Sequence, residues 1–193
     1  VLWLRPDLGT STTTDGTALN TWTDQSTAVN DGMQDGAAPT FTNNTTNNIN
    51  FQPTVLFDGV DDRLSLGDLA EIKSTSGTGR YSMLAIGIRQ TAGSNYALGS
   101  AGGTGNQDLH FGYRNDNAAT IAHWGNDMDV TGLASFNSPT ESPFMLFASY
   151  DGAGRQIEEI RDDNFNRNTD ANTTDLGGTQ TNYIGDLESV NNY

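Results

Sequence analysis

Residues 55 to 68, VLFDGVDDRLSLGD, place three carboxylates, Asp58, Asp61 and Asp62, within five positions between two apolar runs. Hard oxygen donors so spaced suit calcium, with loop carbonyls and water completing the roughly six to eight oxygens it prefers. The same residues also read as a structural turn. Asp58-Gly59 is a turn pair, and adjacent Asp61 and Asp62 point to opposite faces wherever a strand has begun, which works against convergence of all three. Asp58 or Asp61 is therefore the expected metal ligand, although the spacing is not that of an EF-hand. Two further acidic stretches, NDMD (126–129) and RDDN (161–164), compete for the role, with solvated loops as the alternative.

Sugar recognition needs an exposed aromatic face beside groups that hydrogen-bond hydroxyls. HWGNDMD offers Trp124 with His123, Asn126 and Asp127, NYALG offers Tyr96, and FGYRND offers Tyr113, Arg114 and Asn115. The alternative is that these aromatics belong to the core, where Trp3 and Trp22 are assigned.

Catalytic patterns are sparse. A glycosidase array of three carboxylates on one strand face has its nearest counterpart in IEEIRDDNF (157–165), where Glu158 and Asp162 share a parity but Ile160 stands between them. The two histidines, His110 and His123, are few for a zinc site, and no Gly-x-Ser-x-Gly elbow accompanies them. Gly-x-Gly pieces at 77–79, 103–105 and 152–154 lack the rest of a nucleotide fingerprint. Without cysteine, thiolate chemistry and Cys-ligated metals are excluded.

The elements that must position these residues are strands. Alternation or apolar runs mark VLWLR (1–5), INF and TVLFDG (49–59), RLSL (63–66), YSMLAIGIR (81–89), DLHFGYR (108–114), ATIAHWG (119–125), FMLFASYD (144–151) and NYIGD (182–186). Asp-Gly pairs and Gly/Asn clusters punctuate them. SMLAIGI and FMLFASY are nearly continuously apolar, as expected of strands covered by the opposite sheet on one face and partly by loops on the other. The one helical pattern, LGDLAEIKS (66–74), predicts one or two turns, with Asp68 capping and Leu69 and Ile72 facing inward. The fold class is all-β: a jelly-roll sandwich of two antiparallel sheets.

Length and charge agree with one such domain. The 193 residues can hide roughly 70% of their unfolded surface. Nine basic against 24 acidic residues give a net charge of −15, which repels nucleic-acid phosphates and anionic lipid and favours cations as partners. No apolar run is long enough to span a bilayer as a helix. The chain begins at Val1 without Met or signal peptide and reads as a mature or excised piece of something longer.

LWLRPDLGT, LNTWTDQS, INFQPTVLFDGVDDRLSL and NYIGD together resemble the laminin-G-like branch of the concanavalin A-like lectin/glucanase superfamily found in bacterial surface and secreted proteins. The most specific residues are Phe57, Asp58, Gly59, Asp61, Asp62 and Leu64, with Trp22, Asp24, Gln25 and Ser26 in support. The resemblance covers nearly the whole chain, so residues 1–193 are expected to form a single domain. It implies a jelly roll whose members bind glycans or protein ligands, often with calcium at the loop rim. It also implies a closing strand after Tyr183-Ile184-Gly185, which the chain, stopping at Tyr193, is expected to lack. The resulting expectation is a non-catalytic lectin-like module, extracellular or on the cell surface, that binds a glycan or surface ligand. A structural spacer contacting neighbouring modules of the same protein and a glycoside hydrolase are the alternatives.

Overall fold

The computed structural model describes residues 2–73, 79–90, 93–100, 105–115, 117–133 and 142–185. Within them lie fifteen strands and a single 3-10 turn, η1 (Ala70–Ile72). In chain order the strands are β1 (Thr17–Ala18), β2 (Thr21–Trp22), β3 (Gly32–Gln34), β4 (Thr40–Thr42), β5 (Thr54–Leu56), β6 (Leu64–Gly67), β7 (Tyr81–Gly87) and β8 (Asn95–Ser100). They continue with β9 (Leu109–Asn115), β10 (Ala118–His123), β11 (Asn126–Thr131), β12 (Phe144–Tyr150), β13 (Gly154–Arg161), β14 (Asn164–Ala171) and β15 (Asn182–Ile184). The chain is all-β, as the sequence pattern implies, and its ladders between named strands are antiparallel.

An eight-stranded sheet has the order β11-β10-β9-β8-β15-β6-β3-β2, and a four-stranded sheet the order β14-β13-β12-β7. A third, three-stranded sheet, β1-β4-β5, adds to the expected two. Period-2 alternation builds the main core. Leu109, Phe111 and Tyr113 of β9, Ala119 and Ile121 of β10, and Met128 and Val130 of β11 pack against Tyr81 of β7, Leu146, Ala148 and Tyr150 of β12, and Ile157 of β13. Fully burying each large apolar side chain stabilises the fold by roughly 1.5–3 kcal/mol. A smaller core of Leu19, Trp22 and Leu64, flanked by Leu4, Val55 and Phe57, lies between the N-terminal segment, β2, β5 and β6.

The motif residues of the resemblance hold these parts together. Asp24 is buried and accepts hydrogen bonds from the backbone N–H groups of Trp3, Ser26 and Asn30 and from the Ser26 hydroxyl. Trp22 Nε1 donates to Arg5 O at 2.9 Å. The Phe57 ring lies against Gly185, beyond β15, and β15 is itself a central strand paired with β6 and β8. The expected absence of a closing strand concerns positions outside the described residues.

Several expectations are corrected. VLWLR forms no strand, because Arg5 bridges to Leu8 in a tight turn. Trp3 is exposed rather than core: its backbone is tied to Asp24, and its ring stands outside under the Arg5 guanidinium. INF is a turn in which Asn50 and Phe51 take positive φ, leaving Phe51 exposed. The helix shrinks to η1; Asp68 does not cap it and pairs instead with Lys73, although Leu69 is buried as expected. Strands β8, β11, β13 and β14 run through segments the sequence presents as polar or acidic. Finally, on the outer faces of β7 and β12, expected to be partly covered by loops, Leu84, Ile86 and Met145 are exposed and Phe147 is half-buried among the described residues.

Candidate ligand-binding face and acidic loop

Alternation along β9 sends Leu109, Phe111 and Tyr113 into the core and turns His110, Gly112 and Arg114 to the other face. On β10, Ile121 and His123 point inward, so the following Trp124 points outward with His110. Tyr96 of β8 joins them. A Cβ on Gly112 would lie 2.4 Å from Asn95 O and 2.6 Å from Tyr96 Cα, so only glycine allows β8 to approach this closely. The ladder slips between Tyr96 and Leu98 at the same place. The result is an aromatic row: Tyr96 and His110 centroids are 5.6 Å apart, and His110 and Trp124 meet edge-on at 5.2 Å.

A charged pair borders the row. Arg114 Nη2 lies 2.6 Å from Asp127 Oδ2, Arg114 Nε lies 3.6 Å from Asp129 Oδ1, and Nη2 also donates to Thr120 Oγ1 at 3.4 Å. Burial lowers the Arg114 pKa, but the hydrogen bond and charge of Asp127 outweigh it and leave a net rise. Burial pushes His110 down to about 4, so a neutral imidazole sits between the two rings. Asn126 Nδ2 donates to Asn106 Oδ1 at 2.5 Å and secures the β10–β11 turn.

Thus Tyr96, Arg114 and Asp127 lie on one sheet face, with Trp124 in the β10–β11 turn and Asn126 at the start of β11 beside it. His110 and Asp129 belong with them; their parity with Arg114 and Asp127 is the sequence signal that finds them. His123 and Tyr113 do not belong. His123 is wholly buried, with Nδ1 2.6 Å from Thr174 O and Nε2 2.6 Å from the Tyr81 hydroxyl. Because a carbonyl only accepts, the network assigns the proton to Nδ1 and makes Nε2 the acceptor. Burial holds this histidine at about 4. Tyr113 is also buried; its hydroxyl donates to Glu159 Oε1 at 3.0 Å, and Arg89 stacks 4.4 Å from its ring centroid. Strand parity excludes both from the face, a one-residue change of side. The Asn115 side chain lies outside the described residues.

The acidic loop departs from its expected geometry in the other direction. Asp58, Asp61 and Asp62 do converge, each offering an oxygen within 4.8 Å of the others. The strand begins only at Leu64, so the parity that would separate Asp61 from Asp62 does not apply. Asp58 Oδ1 accepts the N–H groups of Val60 at 2.8 Å and Asp61 at 3.3 Å, while Asp62 Oδ2 accepts the Asp58 N–H at 2.9 Å. Gly59 supplies the positive φ of 76° that the turn needs. Asp58 and Asp61 are exposed and Asp62 is nearly buried. Burial raises the Asp62 pKa, aided by the charges of Asp58 and Asp61, whereas the Val60 hydrogen bond lowers that of Asp58. The loop thus gathers three hard oxygen donors, one of which, Asp62, resists ionisation.

The rival acidic stretches have other work. Residues 126–129 are strand β11 with its aspartates engaged by Arg114, and residues 161–164 form the β13–β14 hairpin, with Asp162 at a φ of 53°. The carboxylates of 157–165 diverge. Glu159 is buried against Tyr113 and Arg161, while Glu158 faces outward 3.7 Å from Arg167 Nε.

Comparisons with known proteins match no family model, no curated protein and no solved structure. The face and the loop rest on their own geometry. Among the described residues, no helix is long and apolar enough to cross a membrane.

Proposed function

We propose that this domain is a non-catalytic, lectin-like module of an extracellular or cell-surface protein, binding a glycan or surface ligand on the outer face of β8–β11. The observation that carries this reading is the row Tyr96–His110–Trp124 beside the Arg114–Asp127 pair. Aromatic faces receive the apolar side of a pyranose, and a carboxylate with a planar guanidinium recognises vicinal hydroxyls from both the donor and the acceptor side. His110 is itself buried and packs between the Tyr96 and Trp124 rings, so it holds the row in place without adding a charge to it. Calcium fits the loop of Asp58, Asp61 and Asp62, where it would fix the entry to β6; bound there, it supplies charge compensation and structural order. The likeness of the scaffold residues to laminin-G-like domains supports the same reading.

A glycan array probed with calcium and again with chelator tests it. The reading expects a restricted set of glycans to be retained, more strongly with calcium. An array with no retained glycan in either condition rejects it in favour of the spacer.

A further inference from the structure

The sequences of β7 and β12 carry the near-continuous apolar signature of strands buried on both faces, and among the described residues only one face is buried. The register explains what the other face presents. Ile86, Met145, Ile160 and Phe165 are cross-strand partners in succession and form one apolar row across β7, β12, β13 and β14. The next row is Leu84, Phe147, Glu158 and Arg167, and the one after it Ser82, Ser149, Gln156 and Thr169. Exposure along the face is 59% for Leu84, Ile86 and Phe165, 41% for Ile160 and 39% for Met145.

Taking roughly 200 Å² for a fully exposed large side chain, these five residues leave roughly 500 Å² of apolar surface, a size at which a contiguous patch marks an interaction site. Phe147 and the polar residues of the two neighbouring rows bring the face towards the roughly 800 Å² per partner of a standard interface. Its charge is as informative as its area. Of the twelve outward residues only Glu158 and Arg167 are charged, and they pair with each other, so a chain of net charge −15 has a neutral face here. A cationic partner would find nothing to attract it. A second identical chain would find a face of matching width and polarity whose one carboxylate, Glu158, already has Arg167 beside it, and such isologous contacts are the commonest in homo-oligomers.

We propose that the outer face of the four-stranded sheet is a self-association surface, on which a second copy of this chain docks sheet against sheet over the Ile86–Met145–Ile160–Phe165 row. The two-sided apolar pattern of β7 and β12 is then satisfied in the dimer.

Sedimentation equilibrium of the purified chain from micromolar to several hundred micromolar, at low and high sodium chloride, tests this. The expected result is a monomer–dimer equilibrium that tightens with salt, because screening weakens the repulsion between two acidic chains whereas a contact built on ion pairs would loosen. Ile160→Glu and Phe165→Glu each raise the dimer Kd at least about tenfold, with circular dichroism and melting unchanged at monomer concentrations. Ile160→Ser and Phe165→Ser weaken it in the same direction without adding charge. Trp124→Ala leaves it unchanged, which separates this proposal from the ligand face. Monomers throughout the range would overturn it, leaving the face to a different protein or a neighbouring module. So would a dimer whose Kd ignores these substitutions.

Discussion

Arg114 of β9 reaches across β10 to place its guanidinium Nη2 2.6 Å from Asp127 Oδ2 of β11. Each side chain of the pair is about one-third exposed, so solvent screens it and its contribution to stability is at most about 1 kcal/mol. Its larger effect is positional, because it holds a donor and an acceptor beside the aromatic row, close to Tyr96 and His110.

Arg114→Ala is therefore expected to change unfolding free energy by no more than about 1 kcal/mol while weakening retention on glycans. Urea melts combined with the array measure the two effects separately. A large loss of stability would recast Arg114 as a scaffold residue.

Gly185→Ala addresses the scaffold. An added Cβ would lie 2.1 Å from Phe57 Cδ1, at a φ of +87° that side chains resist. Chemical denaturation should show a loss of about 2–4 kcal/mol. Phe57→Ala in the same chain should recover part of the steric component, a coupling visible in a double-mutant cycle.

At the acidic loop, Asp62→Asn removes a like charge from a nearly buried position while keeping an acceptor for the Asp58 N–H. In chelator, the variant should melt slightly above the native chain. In calcium the order should reverse, because the native loop gains stability with each increment of bound ion. Equal melting responses of the two chains to calcium would remove the loop as its site.

The pH dependence follows from two histidines, His110 and His123, each held down to about 4 by burial from an ordinary value of 6.5. Below 6.5 the unfolded chain takes up these protons and the folded chain does not. Their stabilising effect is thus complete above pH 6.5 and is lost as pH falls towards 4. For fully buried His123 the span is on the order of 3 kcal/mol. His110→Phe keeps the aromatic row, and its stability measured between pH 7 and 4 should fall less steeply than that of the native chain.

What the sequence makes legible is local alternation. RLSL is read as a strand and its Leu64 and Leu66 are buried, while FMLFASY and ATIAHWG carry strands whose inner positions are mostly apolar. The same rule misplaces His123 and Tyr113 because a face is assigned only once an inner residue is known, and a shift of one residue reverses it. β14, with the sequence NFNRNTDA, is a strand through its pairing with β13 and not through its own hydrophobicity. Strand order is still less accessible: β15 sits between β8 and β6, which are far from it in the chain, by contacts that no local pattern records. Convergence of Asp58, Asp61 and Asp62 depends on where β6 starts, which turn hydrogen bonds decide.

The most direct measurement of the central claim is a glycan array run side by side with the native chain and Trp124→Ala, followed by titration of the best-retained glycan. The account predicts selective retention by the native chain and a loss of at least about tenfold in affinity on removing the indole, equivalent to about 1.4 kcal/mol, with folding unchanged. A glycan bound equally well by both chains, or no glycan bound by the native chain, would contradict it.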